Sequence, residues 1–120
     1  MLNYVILGTY QLPTELAITA EEQEKGLMGR TIPSIMSFVY SEPRVNSFWM
    51  HKTPLPLDQI FCQGNKIVAI HQGEPNSTKL IGGIVSDLVV ELPQGTANKL
   101  GLQAGDPVKL QCHSHSPNTK

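Results

Sequence analysis

The stretch DQIFCQ-GN-KIVAIH, residues 58–71, decides the fold. Two short apolar-rich runs, 58–63 and 66–71, are separated by only two residues, Gly64 and Asn65. A two-residue connection is typical of a β-hairpin, and glycine in its first position favours a type II′ turn. The sequence therefore predicts two antiparallel strands joined by a tight turn.

Further short strands are predicted on both sides of this hairpin. They are rich in β-branched or apolar residues and are bounded by Gly, Pro, Ser or Asn; they cover residues 4–7, 12–18, 35–39, 45–51, 87–92 and 108–112. Ser41-Glu42-Pro43 is predicted to be a turn, and Pro54 ends the preceding strand because it cannot donate a ladder hydrogen bond. Residues 73–83 are predicted to form a polar loop.

Two short helices complete the prediction. Thr19 can cap the first, and Glu22 stands three residues later, where it completes a capping box. The second covers residues 96–100. About eight short strands with two short helices predict a mainly-β single domain, sandwich-like or like a small barrel. So few helices cannot cover both faces of a parallel sheet.

Length and composition restrict the classes of function. The 120 residues are enough for one core, and we expect a single domain over 1–112 followed by a flexible polar tail at 113–120. Nine basic and ten acidic residues give a net charge of −1 without a basic run, which argues against a nucleic-acid partner. No apolar run is long enough to cross a membrane, and the opening residues lack a basic leader. We therefore expect a cytoplasmic protein, whose isolated Cys62 and Cys112 are free thiols.

Three stretches together resemble one family. They are GLMGR at 26–30, FWMHKTPLPLD at 48–58, and VELPQG at 90–95 with GDPV at 105–108. They are similar to the DUF192 family of small prokaryotic proteins, over roughly residues 15–110. This resemblance implies an all-β sandwich-like or barrel-like domain, and it implies no established reaction or catalytic residue.

The candidate binding residues lie in the first two of these stretches. If the 45–51 strand is regular, Trp49 and His51 share one face, while Met50 and Lys52 share the other. A Trp beside a His can line a pocket in which the indole stacks on a sugar or a base. The alternative is that Trp49 belongs to the core and His51 is hydrogen-bonded at the strand end.

Arg30 and Asp58 both stand next to turn-forming residues. They are expected to form a bidentate ion pair or to cap turns, and the functional alternative is a guanidinium aimed at an anionic ligand. The ligand-binding candidates are thus Arg30, Trp49, His51, Lys52 and Asp58. If His51 and Asp58 face one cleft, they are also weak candidates for a catalytic acid and base.

We expect no metal and no cofactor. Cys112, His113 and His115 supply three ligand types, but structural zinc needs four and the sequence has no second pair. A copper(I) site of methionines with His51 is the other alternative, although methionines more often fill gaps in cores. Three classes of function stay open: a small-ligand binding module, a protein-interaction domain, and a hydrolase-like or other enzyme. The oligomeric state is not predicted.

Overall fold

The computed structural model describes residues 2–112, which form seven strands and two short helices. In chain order these are β1 (Asn3–Leu7), β2 (Tyr10–Ala17), α1 (Ala20–Lys25), β3 (Met36–Phe48), β4 (Leu57–Gln63), β5 (Lys66–Gly73), β6 (Ile81–Pro93), α2 (Thr96–Lys99) and β7 (Val108–Gln111). The predicted mainly-β class with two short helices is confirmed. Neither of these helices is long enough to cross a membrane.

The strands form one curled sheet in the order β5-β4-β6-β3-β2-β1-β7. Neighbouring strands are antiparallel except β2 and β3, which are parallel. The two edge strands, β5 and β7, meet at one end of the sheet. There the Ile67 amide donates to the Asp106 carbonyl at 2.9 Å, and the Val108 amide donates to the Asn65 carbonyl at 2.8 Å. The sheet is therefore a half-barrel, which is the barrel-like form of the prediction.

Strand β4 and residues 89–92 of β6 are buried on both faces, so the sheet separates two apolar clusters. Successive side chains of a strand point to opposite faces. The cluster on one face, which we call the α2-side core, contains Val5, Leu7, Ile60, Cys62, Ile67, Val90, Leu92, Ala97, Leu102 and Val108. The cluster on the other face, the α1-side core, contains Ala17, Leu27, Met36, Phe38, Met50, Leu57, Phe61 and Val89.

The predicted turn at Ser41-Glu42-Pro43 is instead an interruption within one long strand. Register runs Val39↔Leu88 and then Arg44↔Ser86, so four residues of β3 stand opposite a single residue of β6. A bulge absorbs these extra residues and bends the strand while pairing resumes beyond it. Proline is tolerated there because a bulged residue need not donate to the ladder.

The hairpin forms as predicted, but its turn type differs. Gly64 and Asn65 have φ angles of 59° and 66°, so both central residues are left-handed. Positive φ at both positions defines a type I′ turn, whereas a type II′ turn needs it only at the first. Asparagine tolerates the left-handed region better than most residues, which is why it can occupy the second position.

The capping box of α1 is confirmed: the Glu22 amide donates to Thr19 Oγ1 at 3.1 Å, and the Thr19 amide donates to Glu22 Oε1 at 3.0 Å.

Cys62 and Cys112 are both free. Burial, with a smaller contribution from Asp87, raises the pKa of the Cys62 thiol to about 12. That thiol is therefore unreactive at neutral pH.

Gly82 and Gly83 were predicted to belong to the polar loop 73–83, but they lie in β6, which begins at Ile81, at its second irregularity. Both have positive φ, but a β-carbon at Gly82 would also lie 2.8 Å from the Asn46 carbonyl oxygen and 2.9 Å from Phe61 Cζ. A β-carbon at Gly83 meets only Ser47 Oγ, at 3.9 Å. Gly82 is therefore required by space as well as by conformation.

We expect Gly82→Ala to lower the free energy of unfolding by about 3 kcal/mol, from backbone strain together with a clash. Gly83→Ala is the matched control and should cost about 1 kcal/mol from strain alone. Urea denaturation of both variants measures the difference. Equal losses would show that the close approach at Gly82 relaxes freely.

Candidate functional site

A cleft of about 500 Å³ lies between α1 and the sheet. Residues from α1, β3, the segment after β3 and β6 line it; those that matter below are Lys25, Tyr40, Arg44, Trp49, His51 and Glu91. It lies on the sheet face that carries the α1-side core. A volume of this size suits a small organic molecule.

Trp49 and His51 stand at the rim of this cleft, although they are not in a strand. β3 ends at Phe48, so the alternation that was predicted to align the two rings does not operate. The rings are nevertheless close, with centroids 4.7 Å apart and planes tilted by 31°. Trp49 is 46% exposed, so it is not a core residue.

Met50, between the two rings, anchors the segment. Its side chain is fully buried, and it packs against Gly73, where even a β-carbon would come within 2.5 Å of Met50 Sδ. The Met50 amide donates to the Ser77 carbonyl at 2.9 Å, and Thr53 Oγ1 donates to the His51 carbonyl at 3.1 Å. The buried Met50 side chain therefore fixes the segment that carries Trp49 and His51 to the body of the domain.

Glu91 forms the floor of the cleft. It is 4% exposed, and Gln59 Nε2, from the neighbouring strand, donates to its Oε2 at 2.9 Å. Burial raises the pKa of Glu91 to about 7, although the hydrogen bond from Gln59 opposes this. Gln59 Oε1 is buried and has no hydrogen-bond partner within residues 2–112. The amide beside the floor is thus satisfied on its nitrogen side only.

Tyr40, the first residue of the β3 bulge, and Arg44, the first paired residue after it, both line the cleft. The Arg44 guanidinium lies over the Tyr40 ring, with its Cζ 4.9 Å from the ring centroid. Burial raises the pKa of Tyr40 to about 12; Arg44 opposes the shift and Glu91 adds to it. The Tyr40 phenol is therefore within electrostatic range of both a cation and a carboxyl.

Arg30 is outside the cleft and pairs with Glu15, not with Asp58. Its Nη1 and Nη2 donate to the two Glu15 carboxylate oxygens at 2.8 and 2.9 Å, an exposed bidentate pair that lowers the pKa of Glu15. The bidentate geometry was predicted correctly and the partner was wrong. β2 supplies that partner because Glu15 lies where the strand begins to pair with β3.

Asp58 is buried on the opposite face of the sheet and does not line the cleft. Its Oδ2 accepts hydrogen bonds from the Gly95 amide at 3.0 Å and the Ala97 amide at 2.9 Å. It thus caps the start of α2, which was one of the predicted alternatives. The acid–base pair considered for His51 and Asp58 is not formed, because alternation along β4 directs Asp58 toward the α2-side core.

Lys52 is exposed beside the cleft rather than in it. Its backbone is left-handed, with φ of 53°, and its carbonyl accepts from the Gly29 amide at 2.7 Å. Among residues 2–112, no group of three His, Cys, Asp or Glu side chains is placed to hold a metal ion. His113 and His115 of the zinc alternative lie outside the described residues.

The sequence analysis missed Glu91, Arg44 and Tyr40. A signal for Glu91 was present, since it is the charged residue within the β-branched and apolar run 88–92. A carboxyl in a strand buried on both faces must be paired or have a raised pKa. Arg44 gave no comparable signal, because the bulge that directs it toward the cleft was read as a turn.

The comparisons with known proteins identify the family. The profile of DUF192, described as "Uncharacterized ACR", matches residues 5–110. The chain belongs to the DUF192 family. No curated protein matches it.

Two solved structures share the DUF192 fold seen here. A protein of unknown function from Novosphingobium aromaticivorans DSM 12444 is 33% identical, with a TM-score of 0.83 over 88% of this chain and 83% of that one. A protein from Sinorhizobium meliloti 1021, described as a "putative transcription regulator", is 32% identical, with a TM-score of 0.82 over 90% of this chain and 91% of that one.

We expect Asp58→Ala to lower the free energy of unfolding of this DUF192 protein by about 2–3 kcal/mol, because two amides lose their acceptor. Asp58→Asn, which keeps one acceptor oxygen, should cost less. The control is Asp87→Ala, whose carboxylate accepts one longer exposed bond from the Gly64 amide at 3.3 Å. Chemical denaturation that gave similar losses for Asp58→Ala and Asp87→Ala would contradict this capping role.

Glu91 should make stability fall as pH rises. Its pKa is about 7 in the folded chain against an ordinary value of 4.5, so the folded state holds the proton more tightly. The destabilisation is absent below about pH 4.5, grows through the interval and is complete above pH 7. Between pH 5 and pH 8, the free energy of unfolding of Glu91→Gln should rise by on the order of 2 kcal/mol relative to that of the native chain.

Thermal or urea unfolding across this pH range measures the gain. The exposed Glu42→Gln is the control and should follow the native curve. If the Glu91→Gln curve also ran parallel to the native one, Glu91 would titrate like a solvated carboxyl.

Proposed function

We propose that this DUF192 protein is a small-ligand binding module whose ligand occupies the cleft between α1 and the sheet. The observation that carries the proposal is the half-exposed indole of Trp49 at the rim. A large aromatic side chain exposed to water is stabilised when a ligand covers it. Trp49 borders a cleft of about 500 Å³, which is large enough for a small organic molecule.

The rim supports this proposal because it is preorganised. His51 stacks beside Trp49, and the buried Met50 fixes both residues to the body of the domain. A ligand that stacks on a rigid ring loses little affinity to the ordering of the protein. Among the predicted residues, Trp49 and His51 belong to this site, whereas Arg30, Lys52 and Asp58 do not line it.

Trp49 is the single tryptophan of the chain, so its fluorescence reports the site directly. Titration with a panel of sugars, nucleotides, carboxylic acids and amino compounds should produce a saturable spectral shift with at least one class. The variant Trp49→Ala, measured by calorimetry, should bind that ligand about tenfold more weakly, because a lost aromatic stack costs about 1.5 kcal/mol.

Tyr10→Ala provides the matched control, because Tyr10 is also half exposed but lies on β2 away from the cleft. It should leave the affinity unchanged. A complete lack of response across the panel, in both fluorescence and calorimetry, would refute the binding-module proposal.

A protein-interaction role is the second candidate. Val45 and Val85 are exposed and stand directly opposite each other on β3 and β6. Two valines make only a small patch, and interaction surfaces usually expose several hundred Å² of apolar area. Light scattering that showed a concentration-dependent rise in mass, abolished by Val45→Thr with Val85→Thr, would favour this candidate.

A cytoplasmic location and the lack of a nucleic-acid partner stay predictions from composition. The regulator description belongs to the S. meliloti protein, and a net charge of −1 offers no electrostatic attraction to a phosphate backbone. Fluorescence anisotropy with a labelled DNA duplex at low salt would detect such binding.

A further inference from the structure

Glu91 is a buried carboxyl without a cationic partner. Within residues 2–112 the single ion pair is between Arg30 and Glu15, and the Glu91 carboxyl receives one hydrogen bond, from Gln59. A buried carboxylate is costly unless a cation or several donors compensate for it. The group nevertheless forms the floor of an open cleft rather than lying inside a closed core.

The rim above it has the opposite charge. Lys25 from α1 and Arg44 from β3 line the cleft, and neither takes part in an ion pair among the described residues. Glu24 also lines it, so two cations face one rim carboxylate. Tyr40 also lines the cleft, and it interacts electrostatically with both Arg44 and Glu91.

We infer that the cleft binds a small zwitterion, which places an ammonium group on Glu91 and an anionic group on Arg44 and Lys25. This inference rests on the proposed function and names its ligand class. The ammonium supplies the cationic partner that the buried Glu91 carboxylate lacks. A guanidinium can hold a carboxylate or a similar anion through paired N–H donors.

The ring faces of the cleft suit the same ligand. Phe48 and Trp49 present aromatic surfaces next to the carboxyl floor, and aromatic faces attract an organic cation as well as covering its methylene groups. A neutral sugar would use the indole but would leave the Glu91 charge uncompensated. A plain anion would use Arg44 but would be repelled at the floor.

Binding of this kind is linked to a proton. An ammonium pairs with the ionised carboxyl. Since the pKa of Glu91 is about 7 without a cationic partner, affinity should rise with pH until the group is fully ionised. The other charged or titratable groups that line the cleft are Glu24, Lys25, Tyr40, Arg44 and His51.

His71 on β5 is the cross-strand partner of Gln59 and lies outside the cleft lining. Imidazoles are the side chains that ordinarily change charge between pH 5 and 8. His51→Gln and His71→Gln are therefore measured beside the native chain at pH 6 and at pH 8, and both variants should keep the pH dependence if Glu91 causes it.

The experiment uses ω-amino acids of increasing length, from glycine through 4-aminobutyrate to 6-aminohexanoate, because the series varies the separation of the two charges. Calorimetry on the native chain should identify one or two lengths that bind. These should bind about tenfold more tightly at pH 8 than at pH 6, since the ionised fraction of a group with a pKa near 7 rises from about one tenth to nine tenths.

Three comparisons assign the groups. Butyrate and butylamine, which each lack one charge, should bind at least about tenfold more weakly than the best ω-amino acid. Glu91→Gln should weaken the zwitterion by a similar factor and remove the pH dependence. Arg44→Gln should weaken the zwitterion while leaving butylamine unchanged.

The inference is overturned if Glu91→Gln binds the ω-amino acids as well as the native chain does, or if butyrate alone binds as tightly. It is also overturned if no ω-amino acid binds while a sugar or a nucleotide shifts the Trp49 fluorescence. That last result would leave the binding-module proposal standing, so the two failures are distinguishable.

Discussion

The period-two alternation of β6 is the constraint on which the rest of the structure depends. This strand lies inside the sheet, between β4 and β3, and residues 89–92 near its end are all buried, so each of those side chains must enter one of two cores. Val89 and Glu91 enter one side, and Val90 and Leu92 enter the other. The alternation places a carboxyl under the cleft, and a register shift of one residue would remove it.

The two buried carboxyls of the sheet show opposite solutions to the same problem. Asp58 accepts from two amides at the start of α2, so its charge is compensated by backbone dipoles and fixes a helix in place. Glu91 receives a single side-chain hydrogen bond and borders an open space. Glu91, the carboxyl with fewer partners, is therefore the better candidate for a functional group than Asp58.

Much of the architecture followed from local sequence signals. The Gly64-Asn65 hairpin, the Thr19 capping box and the mainly-β class all depend on short-range rules, and all are confirmed. The β3 bulge was missed because a proline next to polar residues looks the same in a turn and in an interrupted strand. The difference is made by β6, which pairs with β3 on both sides of the interruption.

The candidate site was only partly predictable, for a related reason. Trp49 and His51 were found from their residue types, and they meet even though the strand meant to align them has already ended. The partners of Arg30 and Asp58 depended on which strands lie side by side, and sequence spacing does not contain this information. Glu91 could have been identified from the sequence, because it is a charged residue within the apolar segment 88–92.

The β3 bulge has a consequence for how such a site can diversify. Residues 40–43 stand outside the ladder, so their number can change while the pairing at 39 and 44 stays in register. A longer or shorter excursion would move Tyr40, which lines the cleft, while Arg44 and the carboxyl of Glu91 keep their places in the sheet. The selectivity of the site can therefore be retuned at its entrance, by insertion or deletion, while the floor remains a fixed part of the sheet.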